Sequence, residues 1–290
     1  MKKLRQIIAE IKSHPTEPSS ELNDLLWQYI YYSPKMPVRL HQEKLLDEAE
    51  KSSLKVNDDF FAHKELHFNT FKWGKGMHKV ILTHGWGSKA ADFNEIIIAL
   101  LQIKDLEIIA FDAPGNGSSE GELSNLLLYV QAVRAIILHY GKPDIIIGHS
   151  LGAMANVIAL KEMMVTPALL ISITPLIRLK ENFEASMNAV GISPLSQIGF
   201  FENFEDKFKI SASYFTLNAW YSFNGQLNHW LAYDQNDLVS PYSYMKEFLD
   251  VHPFIKSYNY NDTGHDKILK SSVVVSDLVE VVKSALELLH

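Results

Sequence analysis

Apolar residues along this chain change rhythm after about the first fifth of the sequence. Leu4, Ile7, Ile8 and Ile11 recur at the spacing of one helix face, and after the breakers Pro15 and Pro18 a second set runs through Leu22, Leu25, Leu26 and Tyr29. Ser20 is the expected N-cap of that second helix, and Pro34 and Pro37 end it. A third short helix is expected at about 42–51, so residues 1–60 read as an N-terminal helical extension ahead of the main domain at 61–290.

From about residue 66 the pattern turns to short strands. Runs at 66–73 and 79–83 flank the turn Gly74-Lys75-Gly76, and the segments 106–111, 144–148, 168–172 and 229–233 are apolar or nearly so throughout. A continuous apolar run means burial on both faces, as in a parallel sheet covered by helices. Helical patterns at 93–101 and 126–140, a further strand at 254–258 and a last helix at about 272–289 complete the picture. The predicted class is α/β, a mostly parallel doubly wound sheet with helices on both faces. The gap between Ile171 and Trp230 is too long for a simple crossover; residues 176–221 hold Phe183, Phe200, Phe201, Phe204, Phe208 and Trp220, broken by Gly191, Pro194 and Gly199. That segment predicts a small helical lid over the carboxyl edge of the sheet, where ligands of open α/β folds bind.

The strongest chemical signal is Gly148-His149-Ser150-Leu151-Gly152, set between a predicted strand and the helix-like run that begins at Ala153. A G-x-S-x-G pentapeptide at such a junction is a nucleophile elbow, a reversal so sharp that only glycine fits on either side of the serine. A serine hydroxyl needs an imidazole to take its proton and a carboxylate to hold that imidazole in the right tautomer. Downstream, two post-strand turns offer these groups in order: Asp234 and Asp237 in the first, His265 in the second.

Composition narrows the alternatives. With 290 residues, 47% of them hydrophobic, the chain can bury the core of one catalytic domain. A net charge of -7 leaves no basic footprint for nucleic acid. The absence of cysteine removes disulfides, thiolate nucleophiles and cysteine-ligated metals together. Glu10 and Lys12 interrupt the first apolar run before a signal-peptide core could form, and no stretch approaches the length of a membrane span, so a cytoplasmic protein without integral membrane association is expected.

Four separated motifs, His84-Gly85-Trp86-Gly87, the loop from Asp112 through Pro114, Gly115, Asn116 and Gly117 to Ser119, the Ser150 elbow, and the turns of Asp237 and His265, follow one another as in the α/β-hydrolases. The chain resembles that family from about Phe68 onward. The resemblance implies the α/β-hydrolase fold, with Ser150 as nucleophile, Asp237 as orienting acid and His265 as general base. It also implies an oxyanion hole made of the backbone N–H groups of Trp86 and Leu151. Two departures stand out: Asn116 occupies a place where many relatives have histidine, and Asp234 one where glycine is commoner, leaving a rival acid that the Val239 and Pro241 context of Asp237 outweighs.

The activity so implied is hydrolysis of a carboxylic ester or thioester through an acyl-enzyme, with no cofactor and no metal. The aromatic lid points to a small-molecule substrate with an apolar or aromatic acyl group. The same triad serves amide, lactone or carbon–carbon bond hydrolysis, perhydrolysis and acyl transfer, and the fold also carries small-molecule receptors. Of the other histidines, His149 is expected to pack or hydrogen-bond beneath the elbow, pointing away from Ser150, and His84 to stabilise its loop. His63 and His67 lack an obvious third metal ligand. The N-terminal extension is a candidate surface for a homo-oligomer contact.

Overall fold

The computed structural model describes residues 2–14, 17–223, 225 and 227–289; Pro15, read above as a helix breaker, lies outside them. Three helices open the chain: α1 (Lys2–Ser13), α2 (Ser20–Tyr31) and α3 (Leu40–Asp47). The N-cap of α2 is Ser19, one residue ahead of the serine the sequence favoured, its hydroxyl accepting the N–H of Leu22 at 3.0 Å.

The helical extension ends there, because Glu50–Asp58 is a strand, β1, and not the tail of a third helix. It pairs antiparallel with β2 (Lys64–Trp73) at the edge of the sheet. As an edge strand it faces solvent along most of its length, with only Val56 and Asp58 buried. Its charged residues pair across the strands, Lys55 with Glu65 at 2.6 Å and Glu50 with Lys72 at 2.9 Å. The apolar alternation by which a strand is read from sequence is therefore missing.

Six parallel strands follow: β3 (His78–Thr83), β4 (Leu106–Phe111), β5 (Ile145–His149), β6 (Leu169–Ile173), β7 (Asn228–Tyr233) and β8 (Lys256–Asn259). The eight strands lie in the order β1-β2-β4-β3-β5-β6-β7-β8. β2 and β3, neighbours in sequence, are separated in space by β4, which takes the antiparallel edge of β2. Alternate residues of the central strands enter two different cores. Ile81, Ile146, Leu170 and Leu231 face one, while Val80, Leu82, Ile145, Ile147, Ile171 and Trp230 face the other. Continuous apolar runs are what a sheet buried on both faces requires.

Helices α5 (Leu126–Tyr140) and α6 (Leu151–Met163) cover the first face, and α4 (Asn94–Leu100) and α12 (Ser272–Glu287) the second. Between β6 and β7 the lid is helical, with α7 (Leu179–Ala189), α8 (Pro194–Phe208) and the short α9 (Leu217–Trp220). α10 (Tyr242–Val251) links β7 to β8, and the four-residue α11 (Gly264–Lys267) follows β8. No helix among the described residues is long and apolar enough to cross a membrane.

The N-terminal helices do not stand apart. Trp27 and Tyr31 of α2 share an aromatic cluster with the lid, Trp27 to Phe200 at 5.0 Å, Tyr31 to Phe183 at 5.7 Å and Phe204 to Phe208 at 4.6 Å between ring centroids. Most lid aromatics are spent on this packing. The apolar faces of α1 and α2, Ile7, Ile11, Leu22, Leu26 and Ile30, are buried within the chain.

Candidate active site

Ser150 stands between the last residue of β5 and the first of α6, with φ 52° and ψ -122°, a conformation few non-glycine residues adopt and one held only by its surroundings. Its N–H donates to the carbonyl of Ile173 at 3.0 Å, and its own carbonyl accepts from Leu176 at 3.1 Å. The flanking glycines are there for clearance. A Cβ on Gly148 would lie 2.5 Å from the Cα of Ala153, and one on Gly152 would lie 2.4 Å from the carbonyl oxygens of both Thr83 and His84. The elbow can seat against the end of β3 only because those hydrogens are not methyl groups.

The structure brings Ser150, His265 and Asp237 together although 115 residues separate the first two. Ser150 Oγ lies 2.9 Å from His265 Nε2, and His265 Nδ1 lies 2.7 Å from Asp237 Oδ2. A carboxylate only accepts, so Nδ1 carries the proton and Nε2 presents its lone pair to the hydroxyl. The other Asp237 oxygen accepts the N–H groups of Val239 at 2.8 Å and Ser240 at 3.1 Å, which fix the carboxylate in a buried turn.

Asp234 takes a different place. Its Oδ2 accepts from the N–H groups of Thr263 and Gly264, both at 2.8 Å, and its Oδ1 from Asn236 at 2.9 Å. Burial pushes this carboxyl up, but the N–H donors of Gly264, Asn236 and Thr263 more than offset it and hold it below the ordinary carboxylate value. It pins the loop on which His265 rides; of the two acids, Asp237 is the one that touches the imidazole.

The remaining elbow histidine does not point clear of the site. His149 Nε2 donates to the carbonyl of His265 at 2.9 Å, its ring lies 4.9 Å from that of His265, and it shares the cavity wall with Ser150. Its Nδ1 is buried with no hydrogen-bond partner among the described residues. Burial, then repulsion from a charged His265, lowers its pKa to about 3, so this ring stays neutral and anchors the His265 backbone. His84 has a loop role: its Nε2 accepts the N–H of Ala113 at 2.9 Å, which leaves Nδ1–H to donate to the carbonyl of Gly85 at 2.6 Å.

Trp86, after β3, and Leu151, at the first position of α6, both line the cavity beside Ser150. Neither backbone N–H is bonded to an acceptor among the described residues. The neighbouring Gly87 N–H donates to Asn116 Oδ1 at 3.2 Å, and the same oxygen accepts the hydroxyl of Ser33. Asn116 thus ties this loop to the chain's N-terminal segment, a role no sequence motif marks.

A second serine–imidazole contact lies deeper. Ser172 Oγ and Tyr221 OH each lie 2.9 Å from one ring nitrogen of His229, whose pKa burial, aided by His252, lowers to about 3. Ser172 is buried within β6, and its imidazole is backed by a phenol in place of a carboxylate, so it has neither access nor an orienting charge. Of these two serines, Ser150 is the one that combines both with a cavity.

That cavity measures about 490 Å³ and is walled mainly by apolar side chains, including Leu126, Leu151, Leu176, Leu179, Phe183 and Trp86. For a metal, one trio among the described residues comes close, His149, His265 and Asp266, with donor atoms within 4.8 Å of one another. Both nitrogens of His265 are already engaged, by Asp237 and Ser150, so a metal there would have to dismantle the serine–imidazole contact. His63, in the connection between β1 and β2, and His67, in β2, join no such group.

The chain belongs to the Alpha/beta hydrolase family, whose model matches residues 80–267. Solved structures with the same fold include an esterase from Pyrococcus furiosus, 18% identical over 89% of this chain and 97% of that one, with a TM-score of 0.59. A thermophilic esterase from Thermogutta terrifontis is 15% identical over 81% of this chain and 99% of its own, TM-score 0.57. Alpha/beta hydrolase domain-containing protein 10 from mouse is 16% identical over 82% and 100%, TM-score 0.59. No curated protein matches the sequence.

Proposed function

We propose that this chain is a serine hydrolase of carboxylic esters or thioesters. The observation that carries the reading is the continuous hydrogen-bond chain from Ser150 Oγ through His265 to Asp237, opening on an apolar cavity. Ser150 Oγ attacks the carbonyl carbon while His265 Nε2 takes its proton; Asp237 stabilises the imidazolium through the Nδ1–H bond. The N–H groups of Trp86 and Leu151, which line the cavity without an acceptor among the described residues, take up the developing oxyanion, a contribution for which loss of one donor typically costs about 100- to 1000-fold in rate. The tetrahedral adduct collapses as His265 returns the proton to the leaving alkoxide or thiolate, giving the acyl-enzyme. Water then attacks the acyl carbon with its proton passing to His265, and a second collapse frees the acid and restores Ser150. Esterase activity in the Pyrococcus furiosus and Thermogutta terrifontis proteins of this fold is consistent with that class. A cytoplasmic setting belongs to the same proposal and is tested by fractionating the source cells.

A fluorophosphonate probe should label the wild-type protein and fail to label Ser150→Ala, and p-nitrophenyl esters should turn over with kcat reduced by about 10⁴-fold or more in the variant. A folded wild-type protein that neither labels nor turns over any ester sinks the reading. Labelling without deacylation would point instead to a receptor that retained its nucleophile.

A further inference from the structure

We infer that the N-terminal helical segment is the far wall of the acyl site and sets the length of acyl chain accepted, a step that rests on the serine-hydrolase reading above. The match to the Alpha/beta hydrolase family begins at residue 80, so this wall is supplied from outside the matched region. Leu4 of α1, Tyr29 and Ile30 of α2, and Tyr32, Pro34 and Met36 of the connector all line the cavity that opens on Ser150. Facing them are Leu179 and Phe183 of the lid.

Two sets of bonds hold the wall in place. Across the cavity, Tyr29 OH donates to the carbonyl of Ser186 in α7 at 3.1 Å, joining the N-terminal helix to the lid. At the base, Ser124 N–H donates to the Tyr31 carbonyl at 2.9 Å, and Ser33 Oγ donates to the same Asn116 oxygen that holds Gly87 beside Trp86. The aromatic cluster of Trp27 and Tyr31 with Phe200, Phe204 and Phe208 backs the wall from behind. The segment is thus built into the site and is no loose appendage. The lid alone does not enclose the substrate: of its large aromatics, Phe183 is the one on the cavity surface, the others being spent on packing.

A cavity of about 490 Å³ accommodates roughly 16 non-hydrogen atoms at about 30 Å³ each. The substrate class that suits this volume and lining is an ester of an apolar, medium-length acyl group such as octanoyl with a small alcohol, its chain running away from Ser150 between α2 and α7.

The experiment is the ratio of kcat/KM for p-nitrophenyl octanoate to that for the acetate, in wild type and in Leu4→Trp and Met36→Trp, on full-length protein. Leu4 and Met36 sit on separate elements, neither is fully buried, and neither touches the triad, so at least one variant should fold. A ratio is also insensitive to the folded fraction. Filling the wall should lower the ratio about tenfold, the effect of losing about two buried methylenes. Unchanged ratios in both variants, with circular dichroism like wild type, overturn the inference and leave the serine hydrolase intact. A wild-type protein that neither labels with fluorophosphonate nor turns over acetate removes the underlying reading, and the inference with it.

Discussion

Asp234 and Asp237 sit three residues apart on one turn and do unlike work. Asp237 gives one oxygen to His265 and the other to two backbone donors, whereas both oxygens of Asp234 are consumed by the backbone of its own turn and of the His265 loop. Asp237→Asn is expected to lower kcat about 10⁴-fold, because an amide cannot hold the imidazole in the tautomer that accepts the serine proton. Asp234→Asn should cost kcat less than about tenfold but remove about 2 kcal/mol of stability, since an amide offers one acceptor oxygen to three N–H groups. Steady-state ester hydrolysis and urea denaturation of the two variants separate the roles, and equal losses of kcat would show that the assignment is wrong. That both carboxylates would lie near His265 was legible in the sequence from the order of turns. Resemblance to the family's acid turn favoured Asp237, but the spacing of the residues alone did not decide which carboxylate touches the imidazole, because that depends on where the β7 and β8 loops end relative to each other.

At the scale of elements, the elbow is a clearance problem solved by two glycines, whose positions the sequence already marked. Gly152→Ala would drive a methyl group to 2.4 Å from two backbone oxygens of the β3 terminus, neither of which can move without shifting the Trp86 loop. A loss of about 3 kcal/mol or more is expected, with kcat falling alongside. Gly199→Ala in α8, where nothing lies within 4 Å of the added methyl, should instead stabilise by about 0.5–1 kcal/mol. Thermal unfolding of the pair tests whether glycine at the elbow is a packing requirement or a helix-propensity accident. The central strands were readable because burial on both faces leaves a run of apolar residues; β1 was not, because an edge strand held by backbone bonds and cross-strand ion pairs carries no such pattern. The third helix was read too long for the same reason, its polar tail being the start of that strand.

Across the whole molecule, His149 and His229 are buried in the neutral form, with pKa values lowered to about 3 from an ordinary 6.5. The unfolded chain takes up these protons below pH 6.5 while the folded chain refuses them down to about pH 3. Stability contributed by the two rings is therefore complete above pH 6.5 and declines on acidification, with a limiting slope of about 1.4 kcal/mol per pH unit for each. Between pH 7 and pH 5 each should account for about 2 kcal/mol of lost stability, and His229→Gln should remove one such share from the difference between urea midpoints at the two pH values. A pH dependence that His229→Gln leaves unaltered would mean that this ring is charged in the folded state.

What the sequence determined by itself was everything set by local pattern: the sheet's buried strands, the helices between them, the lid as a helical insertion, and a serine forced onto a sharp turn by two glycines. Those follow from periodicity and sterics within a few residues. The tertiary structure decided the rest. It set Asp237 against the imidazole and Asp234 against the loop that carries it, brought His149 onto the backbone of His265, tied Asn116 to both Ser33 and the loop of Trp86, and turned an apparently separate helical extension into one side of the cavity beside Ser150. Each of these is a contact between residues far apart in the chain; the last forms because the apolar face of α2 finds its burial against the lid. A periodic pattern states that a face must be buried, but not against what.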